Sequence, residues 1–160
     1  RLQRIDEGQP FQVFVDYAHT PDALQNALQA VRQHFPGKKL NCVFGCGGDR
    51  DKSKRAMMGG IAERLADEVI LTSDNPRSED PSDILAEIEK GMTTQGLSIV
   101  DRRDAILHAI GAASEEDVVL VAGKGHEDYQ LLLEGRVPFS DYKVIAEGLE
   151  TWIPEDGKGE

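Results

Sequence analysis

The sequence predicts a Rossmann-like, doubly wound α/β domain with a mostly parallel sheet and helices on both faces. Short apolar runs alternate with segments of helical period, which is the pattern of parallel strands covered by helices. Each run is followed by a polar or glycine-rich motif, as expected where loops leave the carboxyl ends of such strands. The five predicted strands are Phe11–Val15, Leu40–Phe44, Val69–Thr72, Leu97–Val100 and Val118–Ala122.

The first predicted helix has clear boundaries. Thr20 can cap its amino terminus, Pro21 suits its first turn, and Pro36-Gly37 ends it. Apolar residues at helical spacing form one stripe along it. That stripe consists of Leu24, Ala27, Leu28, Val31 and Phe35.

Three further helices are predicted from the same spacing of apolar residues. Asp80 caps one of them with Pro81 at its first position, and another follows Asp101. The residues expected to face inward are Met58, Ile61, Ala62 and Leu65 in the second helix, Ile84, Leu85 and Ile88 in the third, and Ile106, Ala109 and Ile110 in the fourth.

The carboxy-terminal part is predicted to complete one domain, residues 1–153. Residues 129–139 read as a helix end followed by a hairpin around Glu134-Gly135, which would add antiparallel edge strands. A last helix is predicted from Asp141 to Trp152. Residues 154–160 have no apolar content after the proline and are predicted to form a flexible tail.

The composition limits the classes of function. With 160 residues, 39% of them hydrophobic, the chain is long enough for one core. A formal charge of -11 argues against nucleic-acid or anionic-membrane binding, which requires Lys and Arg to neutralise phosphates. No apolar run approaches the roughly 20 residues that span a bilayer, and residues 1–4 lack the apolar core of a signal peptide. We therefore expect no membrane insertion and a cytoplasmic location.

The two cysteines, Cys42 and Cys46, do not indicate a metal site or a disulfide framework. No second Cys or His pair stands at metal-binding spacing in the sequence. Two reduced thiols and no metal site are expected.

The polar motifs are predicted to form one site. In open α/β sheets ligands bind beyond the carboxyl ends of the strands, where loops converge and helix amino termini point into the crevice. The motifs that follow the five predicted strands are Asp16 to Thr20, Gly45 to Arg50, Asp74 to Arg77, Asp101 to Arg103 and Gly123 to Glu127.

The glycine-rich turn at residues 45–50 differs from a dinucleotide fingerprint, because Arg50 replaces the third glycine of G-x-G-x-x-G. A Rossmann cofactor is not expected. Taken alone, the turn is explained as well by tight geometry that glycine permits. Arg50 is expected at the same edge of the sheet as Arg77, and two guanidiniums suit a ligand with two carboxylates.

Residues 74–77, Asp-Asn-Pro-Arg, carry a carboxylate, an amide and a guanidinium directly after a predicted strand. An isolated tetrapeptide of this kind is readily explained as a turn. Pro76, however, restricts the loop and so the directions of its polar neighbours, which favours preorganised binding. The motif predicts a pocket for a small molecule that carries both charges.

Residues 123–127, Gly-Lys-Gly-His-Glu, do not belong to a P-loop, since G-x-x-x-x-G-K-[ST] is missing from the sequence. The domain is therefore not expected to supply the main triphosphate cradle. Glu127 is expected to accept hydrogen bonds from a ligand ammonium, which the Gly123 carbonyl can also approach. Lys124 and His126 are explained equally well as solvated loop residues.

Other polar residues near these loops have structural explanations. The helix cap accounts for Thr20 and Pro21 but not for Asp16 and His19. Because no Ser-His-Asp order is present, no catalytic residue is assigned. The basic run at residues 50–55 can be a solvated helix start, which is the interpretation adopted for Lys52 and Lys54.

Together and in this order, the motifs VDYAHTP (15–21), GCGGDRD (45–51), DNPR (74–77) and GKGHE (123–127) closely resemble the carboxy-terminal domain of Mur ligases, in the branch that adds meso-diaminopimelate. The resemblance covers residues 1–152. It implies an ATP-dependent ligase that forms an amide bond through an acyl phosphate on UDP-N-acetylmuramoyl-L-alanyl-D-glutamate. The amino-terminal UDP-sugar domain and the central P-loop domain of that family have no counterpart in this sequence, so the fragment alone is expected to be inactive.

The resemblance also implies roles for single residues. ATP and Mg2+ would be bound mainly by the central domain, which this domain would contact within one chain. Arg77 would pair with the distal carboxylate of meso-diaminopimelate, while Asp74, Gly123 and Glu127 would receive its distal ammonium. The residues that match diaminopimelate-binding positions are Arg50, Asp74, Asn75, Pro76, Arg77, Gly123 and Glu127, and those that match positions near ATP are Arg1, Asp16 and His19.

Two classes of function stay open from the sequence. The first is the amino-acid-binding domain of an ATP-dependent ligase. The second is a stand-alone α/β module that binds an amino acid or a nucleotide. The missing P-loop is compatible with both, and an upstream reading frame containing one would distinguish them.

Overall fold

A computed structural model describes residues 2–154 of the chain. Within that range, eight strands and five helices alternate in the predicted manner. The strands are β1 (Gln3–Arg4), β2 (Gln12–Asp16), β3 (Leu40–Phe44), β4 (Glu68–Leu71), β5 (Leu97–Ser98), β6 (Val118–Ala122), β7 (Tyr129–Leu132) and β8 (Gly135–Pro138). The helices are α1 (Pro21–His34), α2 (Ser53–Leu65), α3 (Pro81–Glu89), α4 (Arg102–Ala112) and α5 (Asp141–Thr151).

The main sheet has six strands in the order β1-β2-β6-β3-β4-β5. Strands β2, β6, β3, β4 and β5 run parallel, and β1 joins the edge antiparallel to β2. Four residues are neighbours across the centre of the sheet: Val15 lies opposite Val121, Val121 opposite Val43, and Val43 opposite Ile70. These side chains are buried, as parallel strands covered on both faces require.

Two apolar cores lie on the two faces of this sheet. The helices α1, α2 and α3 pack over one face, where Leu24, Met58 and Ile84 are buried. The helices α4 and α5 cover the other face through residues such as Ile106 and Ile145. Each buried aliphatic side chain contributes about 1.5–3 kcal/mol to the hydrophobic free energy of folding. The predicted doubly wound fold is therefore confirmed.

The capping residues behave as the sequence indicates. The Thr20 hydroxyl accepts a hydrogen bond from the Ala23 amide at 3.2 Å and Pro21 is the first residue of α1. Asp80 caps α3 and Asp101 caps α4 in the same way. These caps fix the points where the chain leaves the loops at the carboxyl ends of the strands.

Some predicted features differ in detail. The helix end predicted at the start of residues 129–139 is wrong, because β7 begins there at Tyr129. The hairpin β7-β8 is present, but it forms a separate two-stranded sheet, and the antiparallel edge of the main sheet is β1. Ile61 and Leu65 are only partly buried at the border of the first core. Strand β5 ends at Ser98, two residues before the predicted end. Arg1 and residues 155–160 of the predicted tail lie outside the described residues.

The arrangement creates a crevice between two neighbouring strands. Strand β3 leads to α2 on the first face, whereas the segment after β6 leads to α5 on the second face. Because β3 and β6 are adjacent, their loops diverge at the carboxyl edge of the sheet. Ligands of open α/β sheets bind at such a switch point. None of the helices in residues 2–154 has the length and apolar character needed to cross a membrane.

Candidate functional site

A cavity of about 420 Å³ lies at this carboxyl edge. The loops after β2, β3, β4 and β6 contribute to its lining, together with Tyr129 of the hairpin. The fifth predicted motif, Asp101 to Arg103, does not line the cavity, because its residues begin α4. Of the residues predicted to bind an amino acid, Pro76 lies outside the lining. The six that line the cavity are Arg50, Asp74, Asn75, Arg77, Gly123 and Glu127. Residues far apart in the sequence therefore meet at one site.

The loop at residues 74–77 is held firmly by the rest of the fold. Asp74 and Asn75 are buried, and the Asn75 carbonyl accepts a hydrogen bond from the Gly48 amide at 2.8 Å. Arg77 adopts a positive φ of 52°, which is uncommon for a residue with a side chain. Its backbone amide donates to the Leu131 carbonyl at 2.9 Å, and its Nη1 donates to the Gly48 carbonyl at 2.9 Å. The guanidinium is thus directed along the glycine-rich turn into the cavity.

The glycine-rich turn packs backbone against backbone with the segment after β4. A side chain at Gly48 would place its Cβ 1.9 Å from the Pro76 carbonyl oxygen, and one at Gly45 would be equally close to the Thr72 carbonyl oxygen. Only glycine allows this approach. The Pro76 backbone therefore packs against the glycine-rich turn, although Pro76 does not line the cavity.

Arg55, in α2, anchors the same turn from inside the protein. Its side chain is 1% exposed and forms two hydrogen bonds to the carboxylate of Glu79, at 2.8 and 3.0 Å. It also donates to the Gly47 carbonyl at 2.9 Å, while Glu79 accepts the Asp49 amide at 2.6 Å. Hydrogen bonds from Arg55 and from the Asp49 amide lower the pKa of Glu79 to about 2.

The basic run at residues 50–55 is therefore not uniformly solvated. Lys52 is exposed, as predicted, whereas Lys54 lines the cavity and Arg55 is buried. The sequence interpretation overlooked Arg55. A signal was available, since Arg55 precedes Met58, Gly59 and Ala62 by three, four and seven residues and so shares the inward face of α2.

Lys124 is fully buried, so its interpretation as a solvated loop residue is wrong. The ammonium donates to Asn75 Oδ1 and to the Tyr129 carbonyl, each at 2.8 Å. It also lies 3.3 Å from Asp74 Oδ1 and 3.4 Å from Glu127 Oε1. A buried ammonium requires such acceptors, because desolvation without them is costly. Lys124 thus contacts four residues of the cavity lining, three of which lie outside its own loop.

His126 remains exposed and stacks on Tyr142 with 5.1 Å between ring centroids. It does not line the cavity described above. The structure therefore agrees with the solvated interpretation of this residue.

The two described residues predicted to lie near ATP are at the carboxyl end of β2: Asp16 is its last residue, and His19 lies in the loop that follows. Asp16 Oδ1 accepts the Ala18 amide at 2.7 Å, and the Asp16 carbonyl accepts the Gly123 amide at 3.0 Å. His19 lines the cavity beside Tyr17. The main cause that raises the pKa of Tyr17 is burial, and the second is the nearby carboxylate of Glu127. The third predicted residue, Arg1, is outside the described range.

The cavity lining carries both signs of charge. Arg50, Lys54 and Arg77 are basic, and Asp51, Asp74 and Glu127 are acidic. Such a lining suits a small molecule with both ammonium and carboxylate groups, since each can find a partner of opposite charge. The cavity volume lies within the usual range of ligand pockets.

Comparison with known proteins adds a second kind of evidence. The sequence model of the family described as "Mur ligase, glutamate ligase domain" matches residues 1–125. A curated protein of Syntrophomonas wolfei is 56% identical over 151 residues, which cover 92% of this chain and 31% of that protein. One of Thermosynechococcus vestitus is 58% identical over 149 residues, covering 92% and 30%. Both are named UDP-N-acetylmuramoyl-L-alanyl-D-glutamate–2,6-diaminopimelate ligase.

Solved structures agree with these relatives. A structure of a protein with that same name superposes with a TM-score of 0.87 at 42% identity and covers 94% of this chain and 31% of its own. A bifunctional folylpolyglutamate synthase/dihydrofolate synthase of Yersinia pestis, at 22% identity and a TM-score of 0.60, covers 77% and 28% and shares the fold. The chain spans about a third of the length of the relatives it matches.

Proposed function

Because this chain belongs to the Mur ligase family, we propose that it is the amino-acid-binding carboxy-terminal domain of an ATP-dependent ligase that adds meso-diaminopimelate to UDP-N-acetylmuramoyl-L-alanyl-D-glutamate. We propose this substrate from the names of the two curated relatives described above. The domain would present the amine of the incoming amino acid to the reacting carboxyl group, whose chemistry takes place on the other domains.

One observation carries the proposal: guanidiniums and carboxylates from three loops, those after β3, β4 and β6, line a single cavity. Meso-diaminopimelate is a zwitterion at both ends, with two ammonium and two carboxylate groups. Arg77 would bind its distal carboxylate through a two-pronged hydrogen bond, with Arg50 as a second cation near the mouth. The exposure of Arg50 fits a group that closes on the ligand from outside.

The acidic side of the cavity would receive the distal ammonium. Asp74 and Glu127 face Lys124 with one oxygen each, at 3.3 and 3.4 Å. A Cβ at Gly123 would lie 3.9 Å from Asp74 Oδ2, so the lack of a side chain keeps the space beside that oxygen open. The ligand ammonium would enter this space, with Asn75 held in place by Lys124. Charge-assisted hydrogen bonds of this kind contribute about 1.5–3 kcal/mol each.

Selectivity against lysine follows from the same arrangement. Lysine lacks the distal carboxylate, so its binding would leave Arg77 without an anionic partner in a partly desolvated cavity. An unpaired buried donor costs about 1–3 kcal/mol, and more when it is charged. The proposed site therefore favours the diacid.

In the proposed reaction ATP and Mg2+ are held mainly outside this domain. Within residues 2–154 no group of three or more His, Cys, Asp or Glu side chains is placed to hold a metal ion, and the sequence lacks a P-loop. We propose that both are bound mainly by a central domain of the full-length enzyme, with Asp16 and His19 approaching the nucleotide when the domains close. That central domain and the UDP-sugar domain would be the intramolecular partners of this one.

The direct test is turnover by the full-length protein that contains this chain. ADP release is measured with UDP-N-acetylmuramoyl-L-alanyl-D-glutamate and ATP, with either meso-diaminopimelate or L-lysine as acceptor. The proposal predicts rapid release with the diacid and at least about 100-fold lower kcat/KM with lysine, equivalent to the loss of the Arg77 partner. Equal use of the two amino acids would refute it.

A further inference from the structure

Arg102, the first residue of α4, is fully buried beneath the candidate site. Its side chain and that of Asp141, the first residue of α5, are both 0% exposed. Nε donates to Asp141 Oδ1 at 2.7 Å and Nη2 to Asp141 Oδ2 at 2.8 Å. This two-pronged geometry fixes the plane of the guanidinium.

The remaining donors of Arg102 are directed at two loops of the cavity. Nη1 donates to the Ser73 carbonyl at 3.1 Å, and Nη2 donates to the Ala122 carbonyl at 3.2 Å. Those carbonyls belong to segments at the ends of β4 and β6, which are separated in the sheet by β3. Arg102 therefore bridges two strand ends that do not hydrogen-bond to each other.

The two carbonyls immediately precede residues of the cavity lining. A peptide unit is planar, so the hydrogen bond to the Ser73 carbonyl fixes the orientation of the peptide that joins Ser73 to Asp74. The hydrogen bond to the Ala122 carbonyl fixes the peptide that joins Ala122 to Gly123 in the same way. The Gly123 amide is held on the opposite side by the Asp16 carbonyl at 3.0 Å. One guanidinium thus sets the orientation of both peptides.

On the basis of the proposed function, we infer that Arg102, held by Asp141, is a positioning residue for the amino-acid substrate. It keeps Asp74 and Gly123 at the spacing that the distal ammonium of the ligand requires. It touches no substrate atom, and its contribution is the geometry of two loops. Displacement of a binding group by about 1 Å is enough to reduce turnover substantially.

A neighbouring ion pair allows this role to be distinguished from a general effect on the packing of α4 against α5. Arg103 and Glu147 also connect α4 to α5, with two hydrogen bonds of 2.7 and 2.9 Å, but both side chains are about half exposed. Their hydrogen bonds join the two side chains to each other and reach no loop of the cavity. Removal of this pair affects the same two helices without affecting the carbonyls of Ser73 and Ala122.

The test compares two double variants of the full-length enzyme. Arg102→Met with Asp141→Leu removes the buried pair and fills its space with apolar side chains, a replacement that often preserves stability. Arg103→Met with Glu147→Leu is the matched control. We expect the first variant to raise KM for meso-diaminopimelate about tenfold and to leave KM for ATP unchanged. We expect the control to match the wild type in both constants.

A folded first variant with wild-type KM for meso-diaminopimelate would overturn the inference, as would an equal rise in the control. If the first variant does not fold, Asp141→Asn takes its place, because it keeps the volume and weakens only the clamp on Arg102. A rise of several-fold in the same KM, with KM for ATP constant, then supports the inference, and an unchanged KM overturns it. Failure of the wild type to use meso-diaminopimelate would instead refute the proposed function.

Discussion

The Lys124 ammonium donates a hydrogen bond to the side-chain oxygen of Asn75 at 2.8 Å, joining the loop after β6 to the loop after β4. The same ammonium donates to the Tyr129 carbonyl, which brings the hairpin to the cavity. A single buried cation thus holds its own loop to two other segments, which are 49 and 5 residues from it in sequence. The site depends on this charge for its shape as well as for its electrostatic balance.

Replacing Lys124 with Met is expected to destabilise the domain. The variant keeps an apolar stem but removes the ammonium donor from the Tyr129 carbonyl and one of the two donors from Asn75 Oδ1, which keeps the Leu131 amide at 3.0 Å. It also removes the positive charge near Asp74 and Glu127. Breaking a buried pair by removing one partner typically costs about 3–5 kcal/mol. Urea unfolding at pH 7 measures the change. Lys143→Met, at an exposed position of α5, is the control, and equal unfolding free energies for the two variants would contradict the role of Lys124.

Two glycine-to-alanine substitutions are expected to have opposite effects. In Gly48→Ala the new methyl group would stand 1.9 Å from the Pro76 carbonyl oxygen, so the two loops must separate. In Gly111→Ala the new methyl group meets nothing within 4 Å, and alanine in a helix is favoured over glycine by about 1 kcal/mol. Thermal unfolding should show a lower midpoint for the first and a higher midpoint for the second. A Gly48→Ala protein as stable as the wild type would show that the loops do not approach as described.

The stabilising effect of Glu79 is expected to depend on pH. Arg55 and the Asp49 amide lower its pKa from 4.5 to about 2, so its contribution is fully present above pH 4.5 and is lost as the pH falls toward 2. Glu79→Gln should lower the unfolding free energy by about 1–2 kcal/mol at pH 7 and by less at pH 3. Urea titrations at the two pH values measure this, with Glu134→Gln in the hairpin turn as the control. A difference from the wild type that stays constant between pH 7 and pH 3 would contradict the assignment.

The cysteines are expected to be unreactive in the folded protein. Burial raises the pKa of Cys42 and of Cys46 to about 12. At pH 8 only about one thiol in ten thousand is then ionised, and the thiolate is the nucleophile. Iodoacetamide at pH 8 should therefore label neither residue until the protein is unfolded in urea, as mass spectrometry of peptides can show. Rapid labelling of native Cys46, which lines the cavity, would contradict its buried environment.

Local signals in the sequence explain why much of the fold could be predicted. Strands β3 and β6 have the predicted bounds because each is a run of five residues buried throughout. The cap of α1 involves only residues 20–23, which include its first proline, so this pattern is visible without tertiary information. Strand β1, by contrast, has two exposed residues and exists because β2 supplies an edge, which no local pattern indicates.

The support of the site could not be predicted in the same way, because its partners are distant in sequence. Arg102 pairs with Asp141 over 39 residues, and Arg55 pairs with Glu79 over 24 residues. A charged residue at a helix start is ordinarily solvated. The available signal was helical phase, since Arg102 precedes Ala105, Ile106 and Ala109 on the buried face of α4. The loop motifs themselves were identifiable because each follows a strand.

The proposed pocket depends most on the binding of the distal carboxylate of meso-diaminopimelate by Arg77. The most direct measurement is the steady-state kinetics of Arg77→Ala in the full-length enzyme, with Arg103→Ala on the outer surface of α4 as the control. We predict that KM for meso-diaminopimelate rises at least about 30-fold, the equivalent of about 2 kcal/mol, while KM for ATP stays at the wild-type value. Identical KM values for meso-diaminopimelate in Arg77→Ala and wild type would contradict the account.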